Sequence, residues 1–149
     1  MYSMWLTEEQ QQIWRAYLEM ASRLQTAMNR QLQQDCELSL SDYDVMVALS
    51  ERGPQRINEL GEVLAWEQSR LSHQLRRMRG RGLVERHGSS DDRRGATVEL
   101  TSSGLVALET AAPGHVELVR SVVFDGLSAA QLRAFGSVLG RVTSRLRRT

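Results

Sequence analysis

The segment from residue 83 to 104, LVERHGSSDDRRGATVELTSSG, limits the fold more than any other part of the chain. Leu83 and Val84 open one extended run, and Ala96, Val98 and Leu100 alternate through a second. Between the runs, Gly88, two serines, two aspartates, Arg93, Arg94 and Gly95 have the composition of a solvated hairpin tip. Immediately upstream, residues 67–79 carry a helical pattern that starts near Glu67. Leu71, Leu75 and Met78 fall on one side and Ser69, His73, Arg76 and Arg77 on the other, with Arg70 on the flank. Gly80 and Gly82 break this helix before the first strand. A helix running into a basic β-hairpin is the layout of a winged helix-turn-helix, a form that grips duplex DNA.

The flanking sequence reads as helices. Thr7 and Gln10 form a capping-box start, after which Trp14, Tyr17, Ala21, Leu24, Met28 and Leu32 recur at three- and four-residue steps. Ser41 is the expected cap of a second helix carrying Val45, Met46 and Leu49, which Gly53 and Pro54 end. Asn58 is the expected cap of a third helix, built on Leu60, Val63 and Leu64, whose Gly61 would admit a neighbouring helix closely. Thr101 caps a fifth helix, which Pro113-Gly114 should kink or interrupt. Ser128 and Gln131 open a sixth, where Leu132, Phe135, Leu139, Val142 and Leu146 follow the spacing of a coiled-coil seam. The expected fold is mainly α with a small β-hairpin wing, in one domain over residues 1–149. Residues 38–101 form the winged helix-turn-helix. Residues 1–34 and 102–149 carry apolar stripes that a second copy would cover, giving a homodimer.

Charge is unevenly placed. The whole chain carries only +1, yet residues 70–94 hold eight arginines against Glu85, Asp91 and Asp92. Such a cluster on an otherwise slightly acidic molecule is an electrostatic footprint for phosphates. A merely solvated helix mixes signs, whereas residues 69–77 contain no acid at all. Ser69, Arg70, Ser72, His73, Arg76 and Arg77 are therefore the expected DNA-contacting residues of the helix, and Arg93 and Arg94 those of the hairpin tip. Asp92 is placed to hold Arg94 extended, and Arg86 to share that carboxylate.

Other chemistries find little support. His73, His87, His115 and Cys36 lack metal-ligand spacing, so neither metal nor cofactor is expected. No serine has a partner base, and no glycine-rich phosphate loop is present, so an enzyme is not expected. Cys36 lies beside Asp35 and Glu37, which raise a thiol pKa. Trp14, Tyr17 and Tyr43 read first as core, and second as the lining of a pocket for an aromatic ligand. Without an apolar membrane-length run or a signal-peptide pattern, the expected location is the cytoplasm.

Three stretches resemble the MarR family of bacterial transcription regulators: Gln68-Ser-Arg-Leu-Ser-His-Gln-Leu, Arg81-Gly-Leu-Val-Glu-Arg86, and Asp92-Arg-Arg-Gly followed by Leu100-Thr101-Ser-Ser-Gly104. The six-helix layout extends the resemblance over essentially the whole chain. It implies a homodimer on a pseudo-palindromic operator, probing the major groove with residues 69–77 and using Asp92 and Arg94 as the wing. It further implies a small aromatic or phenolic effector that releases DNA from a crevice between the dimer and winged-helix regions. Redox-sensing members carry a reactive cysteine near the start of the first helix, which this chain lacks. Two other readings compete with a repressor: a non-specific architectural DNA binder, and a winged helix used as a protein-interaction module.

Overall fold

The computed structural model describes residues 5–88 and 95–148. The chain divides into two compact units, Met1–Pro113 and Gly114–Thr149.

In the first unit, α1 (Glu8–Cys36) begins where the sequence places it. The Thr7 hydroxyl accepts from the Gln10 N–H, and the Gln10 side chain accepts from the Thr7 N–H. Burial grows along α1 only toward its end, where Leu32 is fully enclosed. Glu37, in the left-handed region at φ 57°, stops it.

The second helix, α2 (Leu40–Arg52), is capped by Ser39 and not by the expected Ser41. Both serines have an aspartate three residues on. The earlier start wins a second anchor, because Leu40 N–H then donates to Asn29 Oδ1 of α1. The third helix, α3 (Ile57–Leu64), also starts before its expected cap, Asn58. No side chain caps it. Its first N–H, on Ile57, donates to Ala96 O, continuing a short β-ladder that tertiary pairing supplies and local sequence does not.

That ladder belongs to a strand the hairpin pattern did not reveal. β1 (Gln55–Arg56) pairs antiparallel with β3 (Thr97–Leu100), which pairs antiparallel with β2 (Val84–His87), so the sheet order is β1-β3-β2. Two residues are too few for a period-2 signal. Between α3 and α4 (Gln68–Gly80), Ala65 takes the left-handed conformation at φ 56° and Trp66 N–H donates to Gly61 O, closing the helix-turn-helix. Leu71, Leu75 and Met78 of α4 join Leu32, Leu38, Val45, Met46, Leu60 and Val98 in one core, at about 1.5–3 kcal/mol for each large side chain. The mainly α, winged helix-turn-helix architecture is thus as expected.

The LTSSG motif has a packing cause. Thr101 Oγ1 donates to Gly82 O at 2.6 Å and accepts from Gly104 N–H at 2.9 Å, joining the β2 entry to the start of α5 (Ser102–Val119). A Cβ on Gly104 would lie 2.1 Å from Leu83 O, so only glycine fits. Gly61 is different. A Cβ there would meet its neighbours at 3.5–3.6 Å, ordinary contact, so the expected close helix approach is not its reason for being glycine.

The expected interruption at Pro113-Gly114 does not occur. Buried Leu108 and Ala111 hold the preceding turns, and α5 carries the proline through to Val119. The irregularity comes later, as a π-helical turn at Arg120–Phe124 closed by Asp125 N–H to Arg120 O. In the second unit, α6 (Ala129–Leu146) starts with the expected Ser128–Gln131 capping box. It buries no side chain, and Leu132, Phe135, Leu139, Val142 and Leu146 are all exposed. Among the described residues, no helix is long and apolar enough to cross a membrane.

Candidate nucleic-acid interface

Helix α4 has two faces. Leu71, Leu75 and Met78 are buried, while Ser69, Arg70, Ser72, His73, Arg76 and Arg77 are all exposed. With no acid between Gln68 and Gly80, the outward face offers only donors and positive charge.

The arginines of this face are held differently. Arg70 lies over the Trp66 ring, 4.0 Å from its centroid, a cation–π stack that orients the guanidinium. Arg77 Nη2 donates to Gln74 Oε1 at 2.7 Å. Arg76 has no hydrogen-bond or ion-pair partner among the described residues. With Ser72, Arg79 and Arg86 it rims a cavity of about 190 Å³ whose floor is Ile57, Leu75 and Val98. Three guanidiniums and a hydroxyl above an apolar floor suit an anion.

Arg86 reaches this cavity through the strand register. Val84, Arg86, Val98 and Leu100 share one face of the sheet, and Glu85, His87, Thr97 and Glu99 share the other. On the second face Glu85 lies directly opposite Glu99, a pairing that repels. His87 Nε2 approaches both carboxylates, at 2.6 Å from Glu99 and 3.7 Å from Glu85. The tip residues Asp92, Arg93 and Arg94 lie outside the described residues. The Asp92 carboxylate that Arg86 was expected to share lies there too.

The three aromatics have different surroundings. Trp14 and Tyr17 stack at 5.2 Å on the exposed side of α1, whereas Tyr43 is 7% exposed within the core. A larger crevice of about 680 Å³ opens elsewhere in the first unit, between Thr26, Asn29 and Arg30 of α1, Leu40 and Asp44 of α2, and Trp66 and Arg70. Enclosure raises the Asp44 carboxyl above its ordinary pKa, while the Arg70 guanidinium pulls it the other way. Cys36 is the last residue of α1. Burial first, and Asp35 second, push its thiol up, so it is not an activated nucleophile.

Sequence reasoning missed Asp42, Gln74, Arg79 and Arg81. Arg79 is visible in hindsight as a further cation on α4 at i+3 from Arg76. Gln74 sits among Leu71, Leu75 and Met78 on the buried stripe, and its polar character hid it.

The model of the MarR family matches residues 38–95, the span from the approach to α2 to just before β3. The chain is 31% identical over 96 residues to the HTH-type transcriptional repressor NicR of Pseudomonas putida, a match covering 64% of this chain and 61% of that protein. Among solved structures it resembles AbsC, a MarR family transcriptional regulator from Streptomyces coelicolor. Identity there is 34%, with a TM-score of 0.91 over 99% of this chain and all of the other. It also resembles Sco3205, a MarR family transcriptional regulator of the same organism solved in complex with DNA. Identity is 37%, with a TM-score of 0.90 over 97% of this chain and 92% of the other. Since both structural likenesses run nearly end to end at more than 30% identity, the chain belongs to the MarR family.

Proposed function

We propose that this chain is a dimeric, sequence-specific DNA-binding transcription regulator of the cytoplasm, acting as a repressor on a pseudo-palindromic operator. One observation carries the reading. Helix α4 turns an acid-free row of Ser69, Arg70, Ser72, His73, Arg76 and Arg77 to solvent while its opposite stripe is locked into the core. A rigid helix presenting bidentate donors in this way fits a major groove. Residues 38–101 are the DNA-binding region, with Arg94 entering the neighbouring minor groove, Asp92 and Arg86 positioning it, and Arg93 contacting phosphate. Residues 1–34 and 102–149 assemble the dimer. The DNA-bound relative supports the partner, and the named repressor supports the sign of regulation.

The crevice suits a small aromatic or phenolic acid, with Arg30 and Arg70 for its charge and Trp66 for its ring. Arg70 belongs to both the crevice wall and the outward row of α4. A ligand engaging its guanidinium therefore competes with DNA for the same group. On this reading Trp66 and Arg70 are the first candidates to hold the effector, with Trp14, Tyr17 and Tyr43 as the alternative lining.

Selection of binding duplexes from a random-sequence library tests the proposal. It should enrich a pseudo-palindrome bound about a thousandfold or more tighter than its scrambled version. Equal affinity for both would replace it with the architectural reading. Weak binding that salt does not change would replace it with the protein-interaction reading.

A further inference from the structure

Beneath the outward row of α4 lies a polar chain that ordinary core packing does not require. Asp42 and Gln74 are 7% and 3% exposed, the buried polar residues among an otherwise apolar core. Gln74 Nε2 donates to Asp42 Oδ1 at 2.5 Å, across 32 residues of sequence. The other oxygen, Oδ2, accepts from Arg81 Nη1 at 3.2 Å and from the Ser39 N–H at 2.9 Å. Arg81 is itself tied down, since its Nη2 donates to Glu37 O at 2.7 Å. The carboxylate is thus held from three directions.

That fixed carboxylate has a consequence for the amide. An ionised carboxylate only accepts, so it selects the Gln74 rotamer that turns NH2 inward. The carbonyl Oε1 must then point the other way, where it accepts from Arg77 Nη2 at 2.7 Å. We propose that Asp42 and Gln74 are positioning residues that make Arg77 the specificity-determining guanidinium of α4, through the relay Asp42 Oδ1 to Gln74 amide to Arg77. Arg76, one residue away, has no partner among the described residues and supplies charge without a fixed direction. A guanidinium fixed before binding loses less entropy when it pairs with a base edge.

This inference rests on the DNA-binding reading, and its test separates the two. The probe is the duplex enriched by the wild-type chain, and the readout is the ratio of its affinity to that of the scrambled duplex. Arg77→Ala should lower this ratio about ten- to hundredfold, the share one guanidinium–base pair carries. Gln74→Met keeps side-chain length but removes the amide, and should lower the ratio by a similar factor. The double variant should lose no more than Arg77→Ala alone, because Gln74 acts through Arg77. Asp42→Asn should lower the ratio as well, although deleting a negative charge would tighten a purely electrostatic binder.

A second measurement needs no variant to fold. In the wild-type chain, NMR of the arginine side chains should show the Arg77 guanidinium rotating more slowly than that of Arg76. Losses that multiply in the double variant, an unchanged ratio in Gln74→Met, or equal rotation of Arg76 and Arg77 would each overturn the relay while leaving DNA recognition intact. A wild-type chain that prefers no duplex would overturn both.

Discussion

Gly104 and Gly61 show how one residue type holds two different places in this fold. Gly104→Ala drives a methyl group into the Leu83 carbonyl, which is backbone and cannot step aside. Chemical denaturation should show a loss of roughly 1–3 kcal/mol or more. Gly61→Ala meets only ordinary contacts inside a helix, and should gain roughly 0.5–1 kcal/mol from the stiffer unfolded chain and the better helix former. A stabilised Gly104→Ala or a strongly destabilised Gly61→Ala would contradict the packing described. At this scale the sequence was legible where the cause was local. The exposure of the α4 arginines follows from helical spacing alone. The role of Gln74 does not, because its partner lies on another helix 32 residues away. Gly61 was misread for the same reason, since how near its neighbours come is set by the whole core.

Helices and strands were legible in proportion to how much of their signal is their own. The Thr7 and Ser128 boxes are self-contained and appear where the residues put them. Ser39 displaces Ser41 because α1 reaches over to Leu40, and β1 exists only because β3 lies beside it. Pro113 likewise yields to the packing of α5. Just past it, His115 is half-buried, and burial lowers its pKa below the ordinary histidine value. The unfolded chain takes up this proton near pH 6.5, before the folded chain does. Stability present above that pH is therefore lost as pH falls toward the lowered value. His115→Gln should remove this component. Its thermal midpoint should fall less than that of wild type between about pH 7 and pH 5. A variant just as acid-sensitive would show that His115 is not the titrating group.

For the whole molecule, the exposed stripes are the main unfinished business of the chain. Trp14, Tyr17 and Leu18 on α1, and Leu132, Phe135, Leu139, Val142 and Leu146 on α6, leave more apolar surface in water than isolated exposed side chains would. On the proposed reading a second copy would cover them and so set up the two-fold arrangement that a palindromic operator needs. Leu139→Glu, mid-seam, should yield monomers in sedimentation, because its charge would be buried against its own copy. A dimer of unchanged stability would move the interface elsewhere. The sequence pattern pointed to these stripes through their heptad-like spacing, but pairing between chains is not written in a local period.

Hydroxyl-radical footprinting of the wild-type chain on its selected duplex tests dimeric, sequence-specific recognition most directly. Two α4 helices on a two-fold axis predict protection that is symmetric about one dyad, with its centres about one helical turn, roughly 34–36 Å, apart. A single asymmetric window, or protection spread evenly along the duplex, would contradict it.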